Sequence, residues 1–119
     1  MKMELLIVLA FCCAVASAAD NCFNTGAGQQ CEKKVDAMEE DAKQALGSTL
    51  VACLREVKAD IKDVDQLKEA VCSNHNLKKQ FLDCFREDLN SALLENTIFS
   101  HESRAKGEDA LKCYQEALR

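Results

Sequence analysis

Residues 77–94 read LKKQFLDCFREDLNSALL and contain the longest apolar stripe of the chain. The apolar residues of this stretch recur every three or four positions, and most of the positions between them carry charged or amide side chains. That spacing places an apolar stripe along one face of an α-helix. We expect this helix to continue to about Asn96 and to be the central helix of the protein. The stripe consists of Leu77, Phe81, Cys84, Phe85, Leu89, Ala92 and Leu93.

Helical periodicity also covers the chain before this stretch. An irregular arm is expected over residues 20–29, followed by a first helix from about Gln30 to Leu46. Gly47 is predicted to end that helix in a left-handed conformation, because glycine adopts positive φ without steric cost. Ser48 or Thr49 can then cap a second helix.

A third, shorter helix is predicted after Asp63, which is a natural N-cap. The second and third helices could equally form one bent rod. Residues 73–76, Ser-Asn-His-Asn, give the clearest break, and a turn over 97–103 leads to a last helix in which Gly107 weakens the first turn. No segment alternates as a strand would. The expected fold is therefore all-α, a compact, disulfide-stapled bundle of four or five short helices.

The first 19 residues are typical of a secretory signal peptide. An apolar run over residues 5–15 follows a short charged start, and the small residues of 16–19 suit cleavage after Ala18 or Ala19. A membrane anchor would need roughly 20 apolar residues, and this run is shorter. We therefore expect one secreted, extracellular helical domain over residues 20–119.

Six of the eight cysteines lie after the predicted cleavage site. An even number, scattered through a domain in an oxidising compartment, predicts three disulfides. Zinc sites usually show two close ligand pairs, and neither these cysteines nor His75 and His101 are spaced in that way, so no metal and no cofactor are expected. The six are Cys22, Cys31, Cys53, Cys72, Cys84 and Cys113.

Helix geometry restricts how these cysteines can pair. If the fourth and last helices form an antiparallel hairpin that turns near Phe99, Cys84 and Cys113 lie at matching height, and we hypothesise a bridge between them. Cys31 and Cys53 would be offset by roughly 15 Å about a turn at Gly47, which is more than a disulfide spans. That pair is disfavoured.

Composition and motifs exclude several function classes. The net charge is −5, and the longest basic runs are the lysine pairs at 33–34 and 78–79, so we expect no nucleic-acid partner. The same charge disfavours insertion into anionic membranes. No nucleophile elbow, zinc-protease motif or phosphate-binding loop is present. The acidic run at 39–41 is interpreted as a solvated helix face, and no enzymatic activity is expected.

These observations favour a secreted, toxin-like effector or interaction protein, of the venom, saliva, haemolymph or defence type, that acts on an extracellular protein. The alternative is an extracellular carrier of a lipid or odorant in a cavity between helices. One apolar set would form the ligand or partner surface, although the simpler interpretation of most of it is core, because a domain of this size has little apolar material to spare. Its last three members are expected at a helix end, where they suit a partner or self-association. The set is Phe81, Phe85, Leu89, Leu93, Leu94, Ile98 and Phe99.

The chain resembles, in a general way, the small secreted helical cysteine-rich proteins of invertebrates. The intervals Cys31–Cys53 and Cys84–Cys113 look similar to those of tick antimicrobial proteins that sequester copper, but the His-rich tail of those proteins is missing. Insect odorant-binding proteins have three residues between their second and third cysteines, whereas 21 residues separate Cys31 from Cys53. The resemblance therefore assigns no family.

Overall fold

The computed structural model describes residues 20–119, which are 76% helical and contain no strand. The all-α prediction is confirmed. The predicted signal peptide, residues 1–19, lies outside the described residues. Residues 20–119 form five α-helices, α1 (Gly26–Asp36), α2 (Glu40–Val57), α3 (Val64–Ser73), α4 (His75–Leu89) and α5 (His101–Ala117), and a π-helical turn, Asn90–Leu94, continues α4.

The core is built around the apolar stripe of α4. Phe81 and Phe85 are completely buried, and their rings stack with centroids 5.4 Å apart. Phe23 meets Phe81 edge-on at 5.5 Å, and Tyr114 meets Phe85 in the same way at 5.9 Å. Aromatic pairs prefer these offset and edge-on arrangements, and burying each such side chain contributes about 1.5–3 kcal/mol. The stripe that predicted a central helix thus fills the centre of the protein.

Several helix starts follow from local capping residues. Asp63 accepts a hydrogen bond from the backbone N–H of Gln66, which confirms it as the N-cap of α3. Asn74 accepts one from Leu77 N–H and is the only residue between α3 and α4, so the predicted break at 73–76 is confirmed. Residues 58–63 separate α2 from α3, which are two helices and not one bent rod.

The prediction of one helix from Gln30 to Leu46 is wrong. The chain leaves α1 after Asp36 and enters α2 at Glu40. Gly47 lies inside α2 and has no positive φ, so it is not a left-handed cap. Ser48 and Thr49 are likewise interior residues of α2 rather than caps.

Tertiary packing explains the break at residues 37–39, where the sequence offers neither Gly nor Pro. Helix α1 packs chiefly against α5, whereas α2 packs chiefly against α4, so the chain must change direction between them. Met38 is buried in the connection. The Ser103 hydroxyl of α5 donates a hydrogen bond to the Glu39 carboxylate at 3.2 Å, which holds the start of α2.

The predicted irregular arm over 20–29 is shorter than expected, because α1 already begins at Gly26. The arm folds back on this helix and buries Phe23 in the core. Gly28 permits the close approach, since a Cβ on it would lie 2.7 Å from the carbonyl carbon of Phe23.

The expected three disulfides are confirmed, and their pairing follows the helix packing. The bridges are Cys22–Cys72, Cys31–Cys113 and Cys53–Cys84, with Cα–Cα distances of 5.7, 5.5 and 5.7 Å. The hypothesised Cys84–Cys113 bridge is wrong, because α5 packs mainly against α1 rather than α4. Cys31 and Cys53 are indeed not paired, although the turn at Gly47 used to exclude them does not exist. Within residues 20–119, no helix has the length and apolarity needed to cross a membrane.

Candidate functional sites

The structure divides the seven predicted apolar site residues into core and surface. Four of them, Phe81, Phe85, Leu89 and Leu93, are 0% exposed, so no space large enough for a water molecule adjoins them. The remaining three follow in the chain: Leu94 and Phe99 are half-buried, and Ile98 is 80% exposed. We call Leu94, Ile98 and Phe99 the apolar corner.

The turn that carries the apolar corner is fixed by Asn96. Its side-chain oxygen accepts a hydrogen bond from Ile98 N–H at 3.1 Å, and its backbone carbonyl accepts one from Phe99 N–H at 3.1 Å. Asparagine side chains often stabilise turns in this way. The bonds hold the short connection between the π-helical turn and α5, and the Ile98 side chain faces solvent as a result.

Two carboxylates lie against the Cys53–Cys84 bridge. Glu56 Oε1 is 3.0 Å from Cys84 Sγ, and Asp88 Oδ2 is 3.5 Å from Cys84 Sγ and 3.6 Å from Cys53 Sγ. Bridged sulfur carries no proton, so these are contacts and not hydrogen bonds. The four atoms lie within 4.8 Å of one another, a spacing that would suit a metal ion. Thiolates, however, are the ligands that zinc requires from cysteine, and the bridge removes them.

A cationic depression of about 330 Å³ lies beside the carboxyl end of α5. Lys78 and Lys79 form too short a basic run to stand out in the sequence, but the fold adds further cations around an apolar floor of Leu82 and Leu118. Arg86 of this group is 3.7 Å from the Asp83 carboxylate. Arg119 is a further cation of the lining, which also contains His75, the first residue of α4. His101 begins α5 and does not line this depression.

A second depression, of about 400 Å³, lies between α1 and α2. We call it the α1–α2 cleft. It combines an apolar surface with two carboxylates from α1, a lysine from α3 and a tyrosine from α5. Its lining residues are Glu32, Val35, Asp36, Leu46, Gly47, Leu50, Val51, Lys68 and Tyr114.

The cleft is open because α1 and α2 pack mainly on different helices and touch each other little. Gly47 contributes to the opening, since a Cβ built on it would meet no atom within 4 Å. A larger residue at this position of α2 would reduce the space.

Tyr114 combines deep burial with a free hydroxyl. The residue is only 3% exposed, and its ring packs against Phe23 and Phe85. Among residues 20–119 the hydroxyl has no hydrogen-bond partner. Burial is the main cause that raises the pKa of Tyr114 to about 12, and the negative charges of Glu32 and Asp36 contribute to the same shift. The phenol therefore stays neutral at physiological pH and keeps its donor and acceptor available.

Sequence reasoning did not identify this cleft. Gly47 was expected at a helix end, and Glu32, Asp36 and Tyr114 were not singled out as site residues. Two signals were present in the sequence: the carboxylates are spaced i, i+4, which places them on one helix face, and the glycine interrupts a helical pattern. What the sequence could not reveal was that both signals meet at one site.

Comparison of the chain with protein-family models, curated proteins and solved structures finds no match.

Proposed function

We propose that the chain is a small, secreted, non-enzymatic effector or interaction protein that binds an extracellular protein. The observation that carries this proposal is the distribution of the bridges, because each of the five helices holds one half-cystine. Disulfides form and persist in oxidising compartments, and the predicted signal peptide would deliver the chain to one. Cross-links that restrict the unfolded chain preserve a binding surface outside the cell.

The apolar corner is the proposed partner surface. Ile98 is the one large apolar side chain that is strongly exposed among the described residues. Covering such a side chain contributes about 1.5–3 kcal/mol, and binding energy is commonly concentrated in a few residues of this kind. The Asn96 hydrogen bonds fix the turn before binding, so little conformational entropy would be lost.

Secretion is tested by expressing residues 1–119 in a eukaryotic host and measuring the intact mass of the protein in the medium. We expect the mass of residues 19–119 or 20–119 less six hydrogens, one pair for each bridge. A protein that stays in the cell, keeps its leader or carries free thiols contradicts the proposal.

The partner surface is tested with immobilised protein and the extracellular fluid of the source organism. Replacing Ile98→Asp should reduce saturable capture of an extracellular partner at least about tenfold, because a charge replaces a buried contact. Thr97→Asp is the matched control, since it adds the same charge at the exposed neighbouring position and should leave capture unchanged. Equal capture by wild type and the Ile98 variant would rule out the apolar corner.

A second candidate function, an extracellular carrier of a small ligand, is supported by a different observation. The predicted site around Phe81 and Phe85 is filled with side chains, whereas the α1–α2 cleft is open. Native mass spectrometry of protein purified without denaturant tests this function. A ligand-sized mass that disappears on denaturation supports a carrier, and a bare mass for protein taken from its own source contradicts it.

A further inference from the structure

The α1–α2 cleft contains a polar group that the fold leaves unused. A hydroxyl that makes no hydrogen bond to the protein is available to water or to a ligand. Tyr114 is 3% exposed, its hydroxyl has no partner among residues 20–119, and its oxygen is not among the fully buried unpaired atoms of these residues, so it keeps some accessible surface. The Tyr114 ring packs against Phe23 and Phe85, and Tyr114 lines the cleft, so its hydroxyl is accessible from there.

The charge of the cleft favours a cationic ligand. Glu32 and Asp36 lie one turn apart on α1, and neither forms an ion pair within the described part of the chain. Lys68 is the single cation in the lining, and its Nζ lies 5.7 Å from the centroid of the Phe23 ring. Two carboxylates against one ammonium leave the cleft net negative.

The rest of the cleft suits the apolar body of a small molecule. The half-buried apolar residues of its lining are Val35 of α1 and Val51 of α2, and Leu46 and Leu50 of the lining are buried. Its volume of about 400 Å³ lies within the usual range of small-molecule sites, about 300–1,000 Å³. Glycine weakens a helix interior, and no neighbouring atom requires a glycine at position 47. Because Gly47 lines the cleft, the open space beside it is part of the cleft.

We propose that the α1–α2 cleft binds a small amphipathic primary amine. The ammonium lies between Glu32 and Asp36 and donates a hydrogen bond to the Tyr114 hydroxyl oxygen, while the apolar body packs on Val35 and Val51. The proposal rests on the carrier function, for which it names the ligand class, and it is independent of the apolar corner.

Three indole probes test the ligand class. Tryptamine carries an ammonium, tryptophol replaces it with a hydroxyl, and indole-3-propionate has a carboxylate. Because the chain contains no Trp, indole fluorescence anisotropy reports the probe alone. We expect tryptamine to bind at least about tenfold more tightly than tryptophol, since hydrogen bonds between charged groups are roughly twice as strong as neutral ones. The propionate should bind most weakly of the three.

Variants of the cleft test its residues. Tyr114→Phe keeps the ring and should weaken tryptamine binding about tenfold, and Glu32→Gln should weaken it by a similar factor. Gly47→Leu should abolish binding of tryptamine and tryptophol alike by filling the cleft. Glu87→Gln is the matched control, because it changes the net charge by the same amount outside the cleft and should leave binding unchanged.

The outcomes separate the ligand class from the carrier function. Equal binding of tryptamine and tryptophol would overturn the amine proposal and leave a carrier of neutral ligands. No binding of any probe at millimolar concentration overturns the proposal. Amide shifts in the NMR spectrum of the wild-type protein provide a check that needs no variant: tryptamine should perturb residues 32–36 and 46–51. Perturbation confined to the cationic depression would also overturn it.

Discussion

Leu93 lies directly against the backbone of Gly107. A Cβ built on Gly107 would be 2.5 Å from Leu93 Cδ2 and 3.3 Å from its Cγ. Both residues are buried, so this contact seats the π-helical turn on α5. Gly107 was expected only to weaken the start of the last helix, but its missing side chain is what allows the two elements to meet.

The two helix-interior glycines should therefore respond oppositely to alanine. Gly107→Ala should lower the free energy of unfolding by about 1–3 kcal/mol, because the new methyl overpacks Leu93. Gly47→Ala should raise it by about 0.5–1 kcal/mol, because the methyl meets no atom within 4 Å and alanine favours the helix. Urea denaturation with the bridges intact measures both. Stabilisation by both variants would contradict the Gly107 contact.

The bridge pairing makes a second prediction. Non-reducing digestion should yield peptides that link Cys53 to Cys84 and Cys31 to Cys113, and a peptide that links Cys84 to Cys113 would contradict the structure. Replacing both cysteines of the Cys53–Cys84 bridge or of the Cys31–Cys113 bridge by serine should lower the free energy of unfolding by about 4 kcal/mol. The sequence separations are 31 and 82 residues, and closure entropy grows only with their logarithm, so the two costs should differ by about 1 kcal/mol.

Local periodicity explains why much of the fold could be predicted. The stripe from Phe81 to Leu93 fixes α4 and its buried face, and Asp63 fixes the start of α3 through one side-chain hydrogen bond. The break at residues 37–39 could not be found in this way, because it depends on which distant helices α1 and α2 pack against. The wrong Cys84–Cys113 hypothesis has the same origin, since it treated helices that are consecutive in the chain as packing partners.

The candidate site was predictable only in part. Ile98 was expected near an exposed helix end, and the structure exposes it. The i, i+4 spacing of Glu32 and Asp36 is also visible in the sequence. The free hydroxyl of Tyr114 could not be recognised in the sequence, because its environment is formed by α1, α2 and α5 together.

The carboxylates beside the Cys53–Cys84 bridge should protect it from anionic thiolates. A thiolate that attacks Cys84 must approach Glu56, whose carboxylate is 3.0 Å from the sulfur. Like charges about 5 Å apart in water repel by about 0.8 kcal/mol, so Glu56→Gln should speed reduction of this bridge by glutathione about threefold or more. Trapping free thiols by alkylation and mapping them by mass spectrometry gives the rate for each bridge.

Two comparisons control this experiment. In the Glu56→Gln variant, the Cys31–Cys113 bridge should be reduced at the wild-type rate. In a Glu108→Gln variant, which removes a negative charge elsewhere, the Cys53–Cys84 bridge should also be reduced at the wild-type rate. High salt should shrink the effect, since the repulsion acts close to solvent. Equal rates in wild type and Glu56→Gln at low salt would show that the carboxylate gives no protection.

Alkaline titration should detect the environment of Tyr114 directly. Burial raises its pKa to about 12, whereas in the unfolded chain it is about 10. The folded state therefore holds this proton more strongly. The resulting stabilisation is fully present below about pH 10. As the pH rises towards 12, the free energy of unfolding should fall by about 2–3 kcal/mol in total. Tyr114 is the only Tyr in the chain, so tyrosinate absorbance follows a single group.

Tyr114→Phe supplies the control for the alkaline titration. Its free energy of unfolding should fall less between pH 10 and pH 12 than that of the wild type, because no proton remains to be lost at this position. Glu32→Gln should lower the pKa of Tyr114, since one of the negative charges that oppose tyrosinate is removed. A folded wild-type protein that titrates near pH 10 would instead show that the hydroxyl is hydrated, and the α1–α2 cleft would then offer a bound ligand no buried phenol.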